Sequence, residues 1–427
     1  MKNNETTKPI NRLAIFADGT PRYRNYTAKG NGNYDVRLRL RTGKGDVESV
    51  KVISNTMEKP MHVAFSDRLF DYFEVNLTYP ECGTRYCFEL KRGEEIVILN
   101  KRGPMDELQE YYSFCFRPDF STPAWAKGAL CYQIFTDRFF NGDPTNDVRD
   151  GEYSYIHMQA EAEKDWDAMP KNLDVARFYG GDLQGIWDKL DYLQELGVEV
   201  LYLNPIFVSP SSHKYDTQDY DYIDPHFGKI VVDMQWPLAE GDEDNRHAMS
   251  YITRTTDLRN LEASNAFFAE FVEELHRRGM KIVLDGVFNH CGSFNKWLDR
   301  EHLYEGQAGY APGAYTEASS PYKSYFGFKT QQWPYNQDYE GWWGYNTLPK
   351  LNYEGSEELY QNILDIAGKW LKPPYNIDGW RLDVAAALGN TPETNHQFWK
   401  DFLKTVKSIK PDALILAEHY EDPKAWL

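Results

Sequence analysis

From residue 129 onward, short apolar runs alternate with stretches of helical period, and no other feature of the chain narrows its fold as much. Ala129-Leu-Cys-Tyr-Gln-Ile-Phe135, Val198-Glu-Val-Leu-Tyr-Leu203, Lys281-Ile-Val-Leu-Asp-Gly-Val-Phe288 and Ala413-Leu-Ile-Leu-Ala-Glu418 read as strands. Leu183, Ile186, Leu190 and Leu193 recur at helical spacing between Asp182 and a stop at Gly197. Phe267, Phe271 and Leu275 do the same ahead of Gly279, as do Leu359, Ile363, Ile366 and Trp370, and a last helix is predicted around Phe398 to Ile409. One more strand lies in Ile377-Asp-Gly-Trp-Arg-Leu-Asp-Val-Ala385, where Arg381 and Asp383 stand two residues apart and point to one side. Repeats of this kind demand parallel strands with crossover helices, in a doubly wound sheet or a (β/α) barrel.

The placement of polar residues separates the two. Asp285, Asn289, His290, Arg381, Asp383 and Glu418 all fall at or near the C-terminal ends of predicted strands, where a barrel gathers its catalytic groups. About five strands are visible, where a closed barrel of this type has eight. Arg381 beside Asp383 is expected to keep that carboxylate ionised, while Glu418, at the lip of an apolar strand, is expected to have a raised pKa. Two carboxyls pushed apart in this way form the acid and nucleophile of a glycosidase, and a separation of roughly 5 Å implies retention. Taken singly, each has a plainer reading: a buried ion pair, and a cap on the next turn.

The rest of the chain is organised around that region. Residues 1–118 read as an N-terminal β-sandwich, similar to a starch-binding module, with alternation in Tyr34-Asp-Val-Arg-Leu-Arg-Leu40 and Glu74-Val-Asn-Leu77. A Pro-bearing linker near Phe116 to Ala124 leads into the barrel at 119–290, followed by an irregular insert, 291–352, rich in Tyr, Trp, Gly and Pro, and by more barrel at 353–427. Trp333, Trp342 and Trp343 in the insert suit sugar stacking and simple packing equally. The net charge of −18, with no basic patch, argues against nucleic acid and anionic membranes as partners. The first residues lack an apolar leader, and the five cysteines are odd in number and scattered. Cys82 and Cys87 could pair, but free thiols in the cytoplasm are the expectation.

Three motifs give this chain a strong resemblance to the α-amylase family (glycoside hydrolase family 13): Asp285-Gly-Val-Phe-Asn-His290, Gly379-Trp-Arg-Leu-Asp-Val384 and Ala417-Glu-His-Tyr420, in the family's order. His213-Lys-Tyr-Asp-Thr-Gln-Asp-Tyr-Asp-Tyr-Ile-Asp-Pro225 also fits, and Leu348-Pro-Lys-Leu-Asn352 resembles a motif of neopullulanases, cyclomaltodextrinases and maltogenic amylases. The resemblance implies a (β/α)8 TIM barrel with an inserted subdomain. It implies Asp383 as nucleophile and Glu418 as general acid/base, with Arg381, His213 and His290 binding the sugar in the subsite that is attacked. It also implies an α-glucan subsite built from His213, Tyr215, Asp285, Asn289, His290, His419 and Tyr420, of which Tyr215 stacks under the reacting sugar. Tyr420 stands where the family commonly has Trp, which bears on hydrolysis against transfer.

The resemblance further implies a structural calcium ion on Asn141, Asp143, Asn146, Asp147, Gly180 and Asp182, although Asn141-Gly-Asp-Pro144 by spacing alone reads as a turn. It implies a homodimer through the N-terminal domain. The implied activity is retaining cleavage of α-1,4 bonds in cyclodextrins, pullulan or short maltooligosaccharides. A transglycosylase or branching-type enzyme on the same scaffold is the alternative, as is a catalytically inactive glucan-binding protein. The sequence stops at Leu427, ahead of the family's fourth motif and its third catalytic carboxylate. The expectation is a piece of a longer enzyme, inactive if the protein truly ends there.

Overall fold

A computed structural model of the chain describes residues 8–29, 32–55, 57–80, 84–118 and 121–420. The chain divides into two compact units, Met1–Ser121 and Thr122–Leu427. In the first, alternation sets the faces of the sheets. Val36, Leu38 and Leu40 of one strand are buried, and the arginines between them turn away from the core.

Its strands are β1 (Arg24–Ala28), β2 (Asn33–Gly43), β3 (Ser49–Ser54), β4 (Glu58–Pro60), β5 (His62–Ser66), β6 (Phe70–Pro80), β7 (Thr84–Arg92), β8 (Glu95–Asn100), β9 (Gly103–Met105) and β10 (Phe114–Phe116). One sheet runs β1-β2-β6-β5, the other β4-β3-β7-β8-β9 with β10 paired to β7, all antiparallel. Val50, Val52, Val75, Leu77, Phe88 and Leu90 close the core with the β2 residues. Burial of each such side chain is worth about 2 kcal/mol. Cys82 lies outside the described residues, and Cys87, Cys115, Cys131 and Cys291 are free.

In the second unit β11 (Cys131–Ile134) is followed by the short segments β12 (Ser154–Tyr155), β13 (Met158–Gln159), β14 (Glu161–Ala162) and β15 (Arg177–Phe178). Then come β16 (Val200–Leu203), the hairpin β17 (Phe207–Val208) and β18 (Asp219–Ile223), β19 (Lys281–Gly286), β20 (Gly379–Leu382) and β21 (Leu414–Ala417). The order β11-β16-β19-β20-β21 is parallel throughout. These five strands with their crossover helices are of the (β/α)8 TIM-barrel type. Leu201, Leu203, Ile282, Leu284, Trp380 and Leu382 pack into one cluster with the helices.

The three longest helices each begin where a side chain caps them. Asp257 accepts from Arg259 N–H ahead of α4 (Leu258–Arg277), Ser356 from Leu359 N–H ahead of α5 (Glu357–Leu371), and Thr391 from Thr394 N–H ahead of α6 (Pro392–Ile409). The helix expected from Asp182 to Gly197 is two, α1 (Leu183–Asp188) and α2 (Leu190–Glu195), broken at Lys189. The apolar period continues across the break because both pieces bury the same face: Leu183, Ile186, Leu190 and Leu193. A helix that the apolar pattern did not reveal, α3 (Met249–Thr256), buries Tyr251 and Arg254. The insert forms only 3-10 turns and isolated bridges, among them His290 to Lys350 and Gly341 to Pro349. Among the described residues no helix is long and apolar enough to cross a membrane.

Candidate active site

Parallel register builds the site. Arg381 on β20 lies opposite Asp285 on β19. Its Nη1 donates to Asp285 Oδ1 (2.8 Å) and Oδ2 (2.9 Å) and to Asp383 Oδ1 (2.9 Å), and its Nη2 pairs with Glu418 Oε1 (2.8 Å). One guanidinium therefore holds three carboxyls. Asp383 and Glu418 each follow the last residue of a strand, and their amides continue the ladder to Gly286 O and Leu382 O. Between them Val384 is held at φ +38°, which a β-branched residue rarely adopts, and its N–H donates to Glu418 Oε2 (2.9 Å).

This sharing reverses the expected order of acidity. Asp383 is pushed up to about 7, by burial first and then by Asp285 and Glu418, and Arg381 offsets only part of that. Burial acts upward on Glu418 too, but the Val384 N–H, the Tyr420 hydroxyl (2.7 Å) and Arg381 outweigh it and leave Glu418 below its ordinary value. The expectation failed because it assigned Arg381 to Asp383 alone. In the folded chain Asp285, 1% exposed, takes both oxygens' worth of the same cation. The two carboxyls interact directly, so their titration belongs to the pair and not to either residue alone.

The hairpin turn 213–216 supplies the next layer. Tyr215 donates its hydroxyl to Asp285 Oδ2 (3.0 Å), and its ring lies 5.8 Å from the Arg381 guanidinium carbon. Tyr202, a residue that the motifs did not single out, donates to the same oxygen at 2.6 Å. Its place near the end of β16, beside β19, was the available signal. His213 Nδ1 accepts from Tyr215 N–H (3.1 Å), which leaves Nε2 as the proton-bearing nitrogen. His290 is kept neutral, its pKa lowered to about 4 by burial. Its Nε2 donates to Tyr215 O (3.1 Å), and its Nδ1 faces Asn289 Nδ2 (3.2 Å). His290 and Asn289 thus brace Tyr215 from behind. Trp342 stacks on the His290 ring and Trp343 on Trp342, with Trp343 77% exposed. Trp333 packs against Phe328 and donates to Ala314 O. Tyr420 is exposed at the rim and His419 is half-buried.

The loop expected to hold a metal is folded around Asp182. Asp182 accepts from Gly185 N–H (2.6 Å), Gly142 N–H (3.1 Å), Asp143 N–H (2.9 Å) and Asn146 Nδ2 (3.1 Å), so both its oxygens are engaged. Asp143 is paired with Lys229 at 2.8 Å. The oxygens left over are Asn141 Oδ1 and Asn146 Oδ1, both buried and without a partner; Asp147, which burial raises to about 6, accepts from Asn141 Nδ2 (2.8 Å) at Oδ1. Gly180, at φ +78°, closes on Asn141 and Asp147 so tightly that a Cβ there would lie 2.5 Å from Asn141 Nδ2. Among the described residues no three His, Cys, Asp or Glu side chains are grouped to hold a metal. A cation here would rely on amide and carbonyl oxygens, a donor set that suits calcium.

A parallel barrel-type sheet with an arginine-linked carboxyl cluster at its strand ends defines a glycosidase-type catalytic domain, preceded in the sequence by an Ig-like sandwich. The family model for the alpha amylase catalytic domain matches residues 133–235 and 261–426, and that for the alpha amylase N-terminal Ig-like domain matches 23–120. The chain belongs to the alpha-amylase family. Neopullulanase 2 of Thermoactinomyces vulgaris is 36% identical over 94% of this chain and 61% of its own length. Cyclomaltodextrinase of Geobacillus thermopakistaniensis (strain MAS1) is 34% identical over 92% of this chain and 58% of its own. The type III pullulan hydrolase from Thermococcus kodakarensis superposes with a TM-score of 0.56 at 26% identity, over 95% of this chain and 61% of that one. The chain thus spans about three fifths of the length of these relatives.

Proposed function

We propose that this chain carries the reacting centre of a retaining α-glucan hydrolase, a glycoside hydrolase that cleaves α-1,4 bonds in cyclodextrins, pullulan or short maltooligosaccharides. The observation that carries the reading is the single guanidinium of Arg381 shared by Asp285, Asp383 and Glu418. Asp383 and Glu418 bind different nitrogens of that one guanidinium, which holds the two carboxyls as close neighbours, the arrangement a retaining pair needs. In the productive form the shared proton sits on Glu418. Asp383 attacks the anomeric carbon, Glu418 protonates the leaving oxygen, and Glu418 then takes a proton from water as the glycosyl-aspartate ester is hydrolysed. Tyr215 presents its ring and the Nε2–H of His213 a neutral donor to the sugar.

The names of the relatives, a neopullulanase and a cyclomaltodextrinase, support the substrate class. Calcium on Asn141, Asn146, Asp147 and the Gly180 carbonyl would pin the loop after β11 and stay outside the chemistry. A cytoplasmic homodimer, with α-glucan as the binding partner, completes the reading. The test is product analysis on β-cyclodextrin and maltotriose, with Asp383→Asn and Glu418→Gln as controls. Ring opening that both substitutions abolish supports the assignment, and glucan binding without turnover in the unaltered protein overturns it.

A further inference from the structure

We propose that Lys214 is a positioning residue for the reacting-sugar subsite: its buried amine holds the left-handed turn that aims His213 and Tyr215 at the site. The inference rests on the α-glucan reading above. Lys214 has φ +59°, a conformation that a residue with a side chain keeps only where its surroundings over-determine it. This one residue sets the relation between its neighbours. The Tyr215 N–H turns back onto His213 Nδ1 (3.1 Å), while the Tyr215 hydroxyl reaches Asp285 Oδ2 (3.0 Å).

Every polar atom of Lys214 is tied down. Its N–H donates to Ser211 Oγ (2.9 Å), and its carbonyl accepts from Ser209 Oγ (3.2 Å). Its Nζ donates to Ser209 O (3.0 Å) and Asp224 Oδ2 (2.6 Å) and lies over the Phe227 ring at 4.5 Å. The side chain is 1% exposed, so it offers nothing to solvent or to a sugar. A buried ion pair is a poor source of net stability compared with apolar packing, but it is directional, and direction is what this turn needs.

The anchor itself is rigid. Asp224 Oδ1 accepts from the His226 N–H (2.9 Å) and faces His226 Nδ1 (2.8 Å), and Oδ2 also accepts from Ser209 N–H (3.1 Å). His226 Nε2 meets Glu152 Oε1 (2.8 Å), and Glu152 Oε2 accepts from Arg254 Nη1 (2.9 Å). Lys214 is thus the end of a buried chain of alternating charges, and it transmits the fixed position of that chain to the backbone between two subsite residues.

Titration calorimetry with maltotriose on the unaltered chain, Lys214→Ala and Lys214→Gly provides the test, with melting curves to show that each is folded at the assay temperature. Both substitutions delete the amine and strand Asp224 alike, so they differ in how readily position 214 adopts positive φ. Alanine is expected to weaken binding about tenfold or more, and glycine to recover most of that loss. Should neither fold, Lys214→Met with Asp224→Asn keeps the volume, removes the stranded charge and is expected to show the same tenfold loss. Unaltered affinity in the alanine variant or the double variant, or equal affinities for alanine and glycine, overturns the inference alone. No maltotriose binding by the unaltered chain overturns the α-glucan reading and this inference with it.

Discussion

Asp383 and Glu418 meet on one guanidinium yet are pushed to opposite sides of the ordinary carboxylate range, and that sets what each residue is expected to do. The pair gains its first proton near pH 7 and its second below the ordinary glutamate range, because Asp383 is raised to about 7 and Glu418 is lowered. Only the singly protonated pair has both an attacking carboxylate and a proton to donate. The expected kcat/KM profile on maltotriose is a bell, with an alkaline limb near 7 and an acid limb below the usual glutamate value. A flat profile from pH 5 to 9 contradicts the shared proton. Stability should respond with the matching sign. A carboxyl whose folded pKa is raised destabilises the fold as pH climbs from the unfolded value, about 3.9, through 7. Asp383→Asn should therefore raise the melting midpoint at pH 8 while abolishing turnover, and a lower midpoint at pH 8 contradicts the assignment. The three residues of this cluster were legible in the motifs. Their acidities were not, since those depend on Asp285 from another strand and on the strained Val384 amide.

At the scale of elements, side chains that cap and brace decide what periodicity cannot. Asp378, which the motifs did not single out, accepts from His276 (2.6 Å), Lys281 (3.0 Å), Lys410 (2.8 Å) and the Ile282 N–H (3.1 Å), and so ties α4, β19 and the end of α6 to the start of β20. Burial pushes Asp378 up, but His276 and Lys410 outweigh it and hold the carboxyl well below the usual range. Its contribution is therefore complete above the unfolded value, about 3.9, and is lost as pH falls below it. Asp378→Asn should cost about 3 kcal/mol in urea unfolding at pH 7, with a smaller difference at pH 3. An equal loss at both pH values contradicts the charge argument. The break at Lys189 was hidden for the opposite reason. The apolar face of α1 and α2 is continuous, and nothing in a helical period marks a change of axis.

At the scale of the molecule, the five parallel strands present a described sheet whose last member, β21, is half-buried to exposed, with Leu416 52% exposed. The loop from Asn141 to Asp147 is fastened to distant parts of the second unit: Asn146 donates to Gly228 O, Arg254 to Asp147 O, and Lys229 pairs with Asp143. A calcium ion there would lock this junction. A chelator is accordingly expected to lower the melting temperature of protein prepared with calcium, and re-addition of calcium but not magnesium to restore it. An unchanged midpoint on chelation contradicts the calcium reading.

The sequence by itself determined the two-part architecture and the parallel barrel-type sheet, and it placed Arg381, Asp383 and Glu418 at strand ends. Each of these follows from local information: alternation of period two, apolar repeats of period near 3.6, and polar residues that follow apolar strands. Only the tertiary structure decided that one guanidinium serves three carboxyls, that Tyr202 joins the cluster, that His290 braces Tyr215, and that Asp182 organises its loop rather than offering free oxygens. Those outcomes depend on groups brought together from up to about a hundred residues apart, and on burial, which no spacing along the chain records.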